Sequence, residues 1–223
     1  MAFTCDSPIA YKIPEVRQRL TSRDAVFHAL SVGFGQDPID LRRFDFVARE
    51  RFRLLHAVVR AIVKSSKPYI AAVEGWAAGA GFSLALCCDT IVAGTGARFV
   101  AAFPKVGLVG DAGLLHMLPA RVGLGRARQI LLYARPVEAE AALDMGLVDE
   151  VAPDGKALER ALERARDGLA PLSTSLTKAY LASGVDDVLD WERSNQAALF
   201  LTADHAEGRA AFLDKRQAHF QGR

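Results

Sequence analysis

The chain has 223 residues, 51% of them apolar and 24% charged, which excludes disordered, collagen-like and low-complexity classes and leaves a globular chain able to bury its own core. Its 28 Lys and Arg against 26 Asp and Glu give a formal net charge of +2, with bases scattered among acids, so the positive stripe that nucleic acid or anionic lipid requires is missing. Three cysteines, Cys5, Cys87 and Cys88, form neither a disulfide framework nor a metal-ligand spacing, and no basic segment followed by an apolar stretch opens the chain; buried thiols in a cytoplasmic protein are expected.

In chain order, the first amphipathic segment is 44–64, where Phe46, Val47, Leu54, Leu55, Val58 and Ile62 recur among arginines and predict a helix. The nearly uncharged run 69–88 raises the question of a membrane span, with Gly75 and Gly79 at the spacing of packed membrane helices. Glu74 inside it, its wealth of Gly and Ala and Pro68 at its start argue against insertion and divide it into a buried strand, 69–73, and a helix, 79–88. A strand is predicted over 90–93, apolar segments alternating with turns over 99–109, and helices from about Gly113 and over 125–133. Pro136 opens a further helix, 137–144, that Gly146 stops, and 147–151 is a last short strand. Beyond Gly155 strand signals vanish and helical spacing covers 157–166, 176–182, 189–201 and 206–220, so residues 1–154 read as a strand-and-helix body and 155–223 as a helical region. Glu159, Arg160, Glu163, Arg164 and Arg166 read as a solvated helix face with i,i+4 pairs.

The stretch Gly75-Trp76-Ala77-Ala78-Gly79-Ala80-Gly81, between a strand and a helix, leaves the backbone N–H groups of a helix start uncovered, because its small residues put nothing in the way. A P-loop needs Lys-Ser/Thr after the glycines, where Phe82-Ser83 stands. A dinucleotide fingerprint needs an acid at the end of the next strand, whereas Asp89 precedes that strand and Gly94 follows it. An acyl carbonyl whose oxygen develops negative charge remains as a ligand, beside the alternative that the small residues serve only close helix–strand packing.

Taken in order, KPYIAAVEGWAAGAGFSLALCCDTIVA, RFVAAFPKVGLVGDAGLLHMLPARVG, PVEAEAALDMGLVDEV and TADHAEGRAAFLDKR resemble the crotonase superfamily, the enoyl-CoA hydratase/isomerase family, across residues 67–220. The resemblance implies an α/β fold: a crotonase-type spiral of ββα units with a C-terminal all-helical trimerisation region, assembled as a homotrimer or homohexamer. It implies an acyl-CoA or acyl-carrier thioester as substrate, coenzyme A being part of that substrate, with no separate cofactor and no metal. It also implies an oxyanion hole of two backbone N–H groups, one of them on Ala80 with Gly79 and Gly81 beside it at the substrate.

Hydratases of the family carry two glutamates, one to activate water and one to deliver a proton. Those positions fall here on Ser83 and Phe103, which disfavours ordinary hydration and leaves both as substrate-lining candidates. Asp111, in Val-Gly-Leu-Val-Gly-Asp-Ala-Gly, is the remaining acid of the region. Its place resembles that of the catalytic aspartate or glutamate of many family isomerases, and that of the nucleophilic aspartate of 4-chlorobenzoyl-CoA dehalogenases. A single carboxylate suits a double-bond isomerisation, since one base removes a proton from one carbon and returns it two carbons away. Val106, Leu108, Val109 and Leu114 are expected to desolvate it and raise its pKa, while capping of the helix that starts near Gly113 is a compatible role. The expectation is an enoyl-CoA isomerase with Asp111 as proton shuttle. Thioester hydrolysis or dehalogenation through Asp111, an atypical hydratase, and a non-catalytic scaffold or binding subunit stay open beside it.

His116, one turn into that helix, is a candidate substrate contact or a filler of the helix–body interface. Glu74 reads as a turn or subunit-contact acid and Trp76 as a packing aromatic beside the turn. Lys215 and Phe220 match the closing helix, which in the family lies over the coenzyme A of a neighbouring subunit, making Lys215 a candidate phosphate contact. Before Lys67 the resemblance thins to a shortened N-terminal region, in which 24–29 stands for the family's strand and 30–37 for the loop that places the second oxyanion donor on Val32.

Overall fold

The computed structural model describes the backbone of residues 41–166 and 170–223, and side chains within these from residue 52 onward. Cys5, the expected strand 24–29 and the loop with Val32 lie outside the described residues. Helix α1, Leu41–Val63, is followed by β1, Ile70–Val73, β2, Trp76–Ala78, and α2, Ala80–Cys87. Next come β3, Thr90–Gly94, β4, Arg98–Val100, a 3-10 turn, Phe103–Val106, and α3, Leu114–Tyr133. The remaining elements are β5, Val137–Glu138, α4, Ala139–Asp144, β6, Glu150–Ala152, and the helices α5, Ala157–Arg164, α6, Pro171–Leu181, α7, Val185–Leu199, and α8, Ala203–Leu213.

The strands sort into two sheets, β1-β3-β6, parallel throughout, and β2-β4-β5, in which β2 and β4 are parallel and β5 is antiparallel. Ala71 lies beside Ile91 in the first sheet and Ala77 beside Phe99 in the second. The pairs β1–β2 and β3–β4 each send their first member to one sheet and their second to the other before the chain turns into a helix, while β5 and β6 lie in opposite sheets with α4 between them. This is the ββα unit of the expected spiral. Between β1 and β2 the change of sheet takes two residues, Glu74 and Gly75, and Gly75 makes it possible by adopting φ 67°. Phe82, Ile91, Phe99, Leu114, Leu118 and Leu147 are fully buried in the main core, each contributing roughly 1.5–3 kcal/mol. A second core joins Val59 of α1, Cys87 of α2, Ala112, and Val185 and Leu189 of α7.

Several expectations are corrected. The supposed turn before α2 contains β2, a strand too short for an alternating pattern to reveal and fixed by its pairing with β4. The expected helix 137–144 opens as a strand, because Val137 pairs with Phe99, and becomes helical at Ala139. The two helices expected over 113–133 are both present within α3, separated by the non-helical backbone of Gly123 (φ 76°, ψ 159°). The last strand begins at Glu150, since Leu147 and Val148 bond back to Ala142 O and close α4. Glu74 is an intrachain cap: its Oε1 accepts the Ala157 N–H at 2.9 Å, at the start of α5. Trp76 is half exposed, with the Arg98 guanidinium 5.3 Å from its ring centre. On α5 the ion pairs are i,i+3, Lys156 with Glu159 and Arg160 with Glu163, and Arg160 and Arg164 also reach Glu150 of β6. Among the described residues no helix is long and apolar enough to cross a membrane; the run 69–88 holds two strands and α2.

Candidate active site

Gly79 caps α2 at φ 54° and ψ −123°, a conformation that excludes a β-carbon without strain, and its own N–H is pinned to Val100 O at 3.0 Å. It brings no side chain to the helix start, so the N–H groups of Ala80 and Gly81, which have no intrahelical acceptor, stay available at the positive end of α2. Gly79 and Ala80 are half-buried and Gly81 is exposed. Phe103 is buried, and its Cζ would lie 3.9 Å from a β-carbon at Gly79, so the ring walls the opening. Ser83 is fully buried and donates its hydroxyl to Gly79 O at 3.3 Å. That hydroxyl is spent on its own helix.

From the 3-10 turn the chain runs close beneath α8. A β-carbon at Gly107 (φ 68°) would come within 2.9 Å of His205 N, and His205 Nδ1 lies 2.8 Å from Val106 O. The loop 109–113 then presents Asp111, only 8% exposed. Two consecutive left-handed residues follow, Ala112 at φ 54° and Gly113 at φ 81°, before α3 begins. Asp111 makes no side-chain cap to α3; its backbone carbonyl accepts the Leu114 N–H at 3.1 Å. Its Oδ1 has no hydrogen-bond partner among the described residues. Burial pushes the Asp111 carboxyl up to about 7, against a weaker opposing pull from the Gln196 amide.

The surroundings of this loop include three residues the sequence reading did not single out. Gln196 of α7 binds both polar groups of Val109: its Oε1 accepts the N–H and its Nε2 donates to the carbonyl, each at 3.0 Å. Glu192, one turn earlier and fully buried, accepts the Gly113 N–H on Oε2 at 3.0 Å. His56 of α1, also fully buried, sets its Nε2 3.8 Å from Glu192 Oε2. A signal for the first two was present in the spacing of α7: Glu192 and Gln196 recur with Leu189 on one helical stripe, where polar residues are out of place unless they bind something.

The other candidates spread around this centre. Leu114 is fully buried in the main core, and its Cδ2 would lie 2.9 Å from a β-carbon at Gly110. His116 lies against the turn between α6 and α7, its Cε1 3.5 Å from where a β-carbon of Gly184 would be. Lys215 is exposed beyond α8, which ends at Leu213, and has φ 54°; the expected closing helix 206–220 is shorter at that end. Phe220 reaches back to Gly208 of the same α8, its Cε1 3.1 Å from a β-carbon placed there. Among the described residues no group of three or more His, Cys, Asp or Glu side chains is arranged to hold a metal ion.

Comparison with known proteins places this geometry among relatives. The family described as enoyl-CoA hydratase/isomerase matches residues 20–223. The chain is 39% identical over 184 residues to a probable enoyl-CoA hydratase of Rhodobacter capsulatus, covering 79% of this chain and 70% of that protein. It is 36% identical over 178 residues to the 1,2-epoxyphenylacetyl-CoA isomerase of Escherichia coli K12, covering 77% and 68%. The crystal structure of an enoyl-CoA hydratase from Mycobacterium avium subsp. paratuberculosis K-10 matches with a TM-score of 0.73 at 32% identity, over 78% of this chain and 73% of that one.

Proposed function

Because the chain belongs to the enoyl-CoA hydratase/isomerase family, we propose that it shifts the double bond of a 3-enoyl-CoA thioester to the 2-position, with Asp111 as the sole proton carrier. One observation carries this reading. Asp111 is a buried carboxyl with an unpartnered oxygen, while the two positions that hold glutamates in the family's hydratases carry Ser83, hydrogen-bonded to Gly79 O, and the hydrocarbon ring of Phe103.

In this reading the thioester carbonyl lies at the start of α2, its oxygen facing the Ala80 N–H, with the second donor assigned to Val32. The Asp111 carboxylate removes a proton from C2. The released electron pair delocalises through the C3–C4 double bond and onto the thioester oxygen, and the N–H donors meet the charge as it develops, each worth about 10²–10³ in rate. The protonated Asp111 then delivers the same proton to C4. The double bond now lies between C2 and C3, and no atom has been gained or lost. A carboxyl near neutrality serves both halves, since it must accept the proton in one and surrender it in the other.

The test is a panel of 3-enoyl-CoA and 2-enoyl-CoA substrates given to the wild-type protein and to Asp111→Asn. The reading requires 2-enoyl product from the wild type and its near-complete loss in the variant. Absence of that product, undiminished product in the variant, or hydration of 2-enoyl-CoA faster than isomerisation would each defeat it.

A further inference from the structure

The clamp on the Asp111 loop has a side that the proposed chemistry does not use. Gln196 grips the backbone two residues before Asp111 and Glu192 grips it two residues after, so one stripe of α7 brackets the carboxylate. Between the two grips lies Ala112 at φ 54°, a conformation that costs a non-glycine residue of order 1–3 kcal/mol and persists only where the surroundings enforce it. From the opposite flank Cys87 of α2 contacts Ala112 O through Sγ at 3.5 Å.

Glu192 also differs from an ordinary bracket in its charge environment. It is fully buried and its Oε1, like Asp111 Oδ1, has no hydrogen-bond partner among the described residues. The groups facing it come from every adjoining element. From α1 comes His56, which burial first and then Arg60 and Arg193 push down to about 4; Arg60 is itself engaged with Asp186. From α2 comes Cys87, whose thiol burial pushes up to about 12. On α7 itself Asp190 and Arg193 pair with each other at 3.1 Å on the outer face. From the loop comes Asp111, whose negative charge adds to burial in holding Glu192 well above the usual carboxylate range, against the N–H groups of Gly113 and Leu115. The His56 ring and the Cys87 thiol, which face it in the interior, are both neutral near pH 7. Two carboxyls in such a place do not both ionise readily.

We propose that Glu192 is a positioning residue that works as a neutral, protonated acid: it holds Gly113, and with it the Asp111 loop, in a buried site that admits one negative charge, the one on Asp111. Its catalytic consequence rests on the reading of Asp111 as the base; the pairing of the two carboxyls does not.

The experiment therefore has two arms. Carbon-13 labelling of the Asp and Glu side-chain carboxyls, with Asp111 and Glu192 assigned by loss of their signals in Asp111→Asn and Glu192→Gln, follows both titrations by NMR without substrate. In the wild type Glu192 is expected to keep its proton after Asp111 has lost its own, and in Asp111→Asn its midpoint should fall by about one pH unit or more. A Glu192 midpoint that does not move, or that lies in the ordinary glutamate range in the wild type, overturns the proposal. The second arm is isomerase kinetics. Glu192→Gln, which keeps an oxygen for Gly113 and carries no charge, should lose less than about threefold in kcat. Glu192→Ala should lose about tenfold or more with KM nearly constant. Equal losses in the two variants, or no loss in Glu192→Ala, would also overturn it. If the alanine variant does not fold, the NMR arm on Asp111→Asn decides alone. A wild type without isomerase activity defeats the isomerase reading, whereas the NMR arm still decides the pairing.

Discussion

At the start of α2 the candidate site is made of backbone: Gly79 caps the helix with its own N–H bonded to Val100 O, and its neighbours Ala80 and Gly81 present N–H groups at a half-open helix end. At the 109–113 loop it is made of one buried side chain, Asp111, held in place by Gln196 and Glu192, which bond to the loop across sequence separations of 87 and 79 residues. The first half is a local product of strand, glycine and helix, and it stays polar because helix geometry leaves those donors unpaired. The second half exists only once α7 has docked, and its carboxyl pays in desolvation for the basicity it gains. Charge stabilisation can thus be built from local geometry, whereas a base of tuned pKa needs distant partners.

The comparison can be broken most forcefully at the side-chain half. Asp111→Asn should reduce isomerase kcat by about a thousandfold, the middle of the range of general-base contributions, while calorimetry shows acyl-CoA binding changed by no more than a few fold. The backbone half calls for a change that deletes a donor and leaves the helix. Ala80→Pro does so, because proline is tolerated at the first helical position, and kcat should fall about a hundredfold with the circular-dichroism spectrum preserved. A fall of less than about threefold would remove Ala80 from the oxyanion hole.

The pH dependence probes the tuned half alone. In the proposed reading Asp111 acts ionised and burial sets its folded pKa at about 7, so kcat/KM should rise with pH, reach half its plateau near neutrality, and stand roughly tenfold below the plateau one unit under that midpoint. The same shift has a stability counterpart. The folded carboxyl holds its proton more tightly than the unfolded one, so the wild type loses stability as pH rises from about 4 to about 7 and loses no more from this group above that. Asp111→Asn escapes the penalty and should melt above the wild type at pH 8, by an amount equivalent to about 2–4 kcal/mol, with the gap narrowing toward pH 4. His56 works in the opposite sense, its lowered pKa costing stability as pH falls from 6.5 through about 4, so variant and wild type must be compared at equal pH. The smallest effect is expected at Ser83→Ala: its hydroxyl bonds Gly79 O within α2, so kcat should change by less than about twofold.

How much of this was legible in the sequence follows the same division. The glycines around Ala80, the strand before them and the helix after them could be read from neighbouring residues, because each is a statement about local φ, ψ and side-chain size. Asp111 stood out as the acid left over once Ser83 and Phe103 occupied the glutamate positions. Its expected desolvation by nearby Val106, Leu108, Val109 and Leu114 was only part of the cause, since α7 closes over it as well. Glu192, Gln196 and His56 went unseen because their meaning lies in which loop their helices face, and helix docking is set by packing far along the chain. Glu74 lies in the turn between β1 and β2 as expected, but its partner, the Ala157 N–H of α5, went unseen for the same reason. β2 escaped because three residues are too few for a period of two to show.

The claim that one carboxyl carries the proton across the substrate is tested most directly by single-turnover isomerisation of a 3-enoyl-CoA deuterated at C2, in ordinary water. Asp111 is 8% exposed, so the abstracted deuteron should remain on it long enough for a measurable share to appear at C4 of the 2-enoyl product. Product carrying only solvent hydrogen at C4, formed at the wild-type rate by Asp111→Asn as well, would contradict the account.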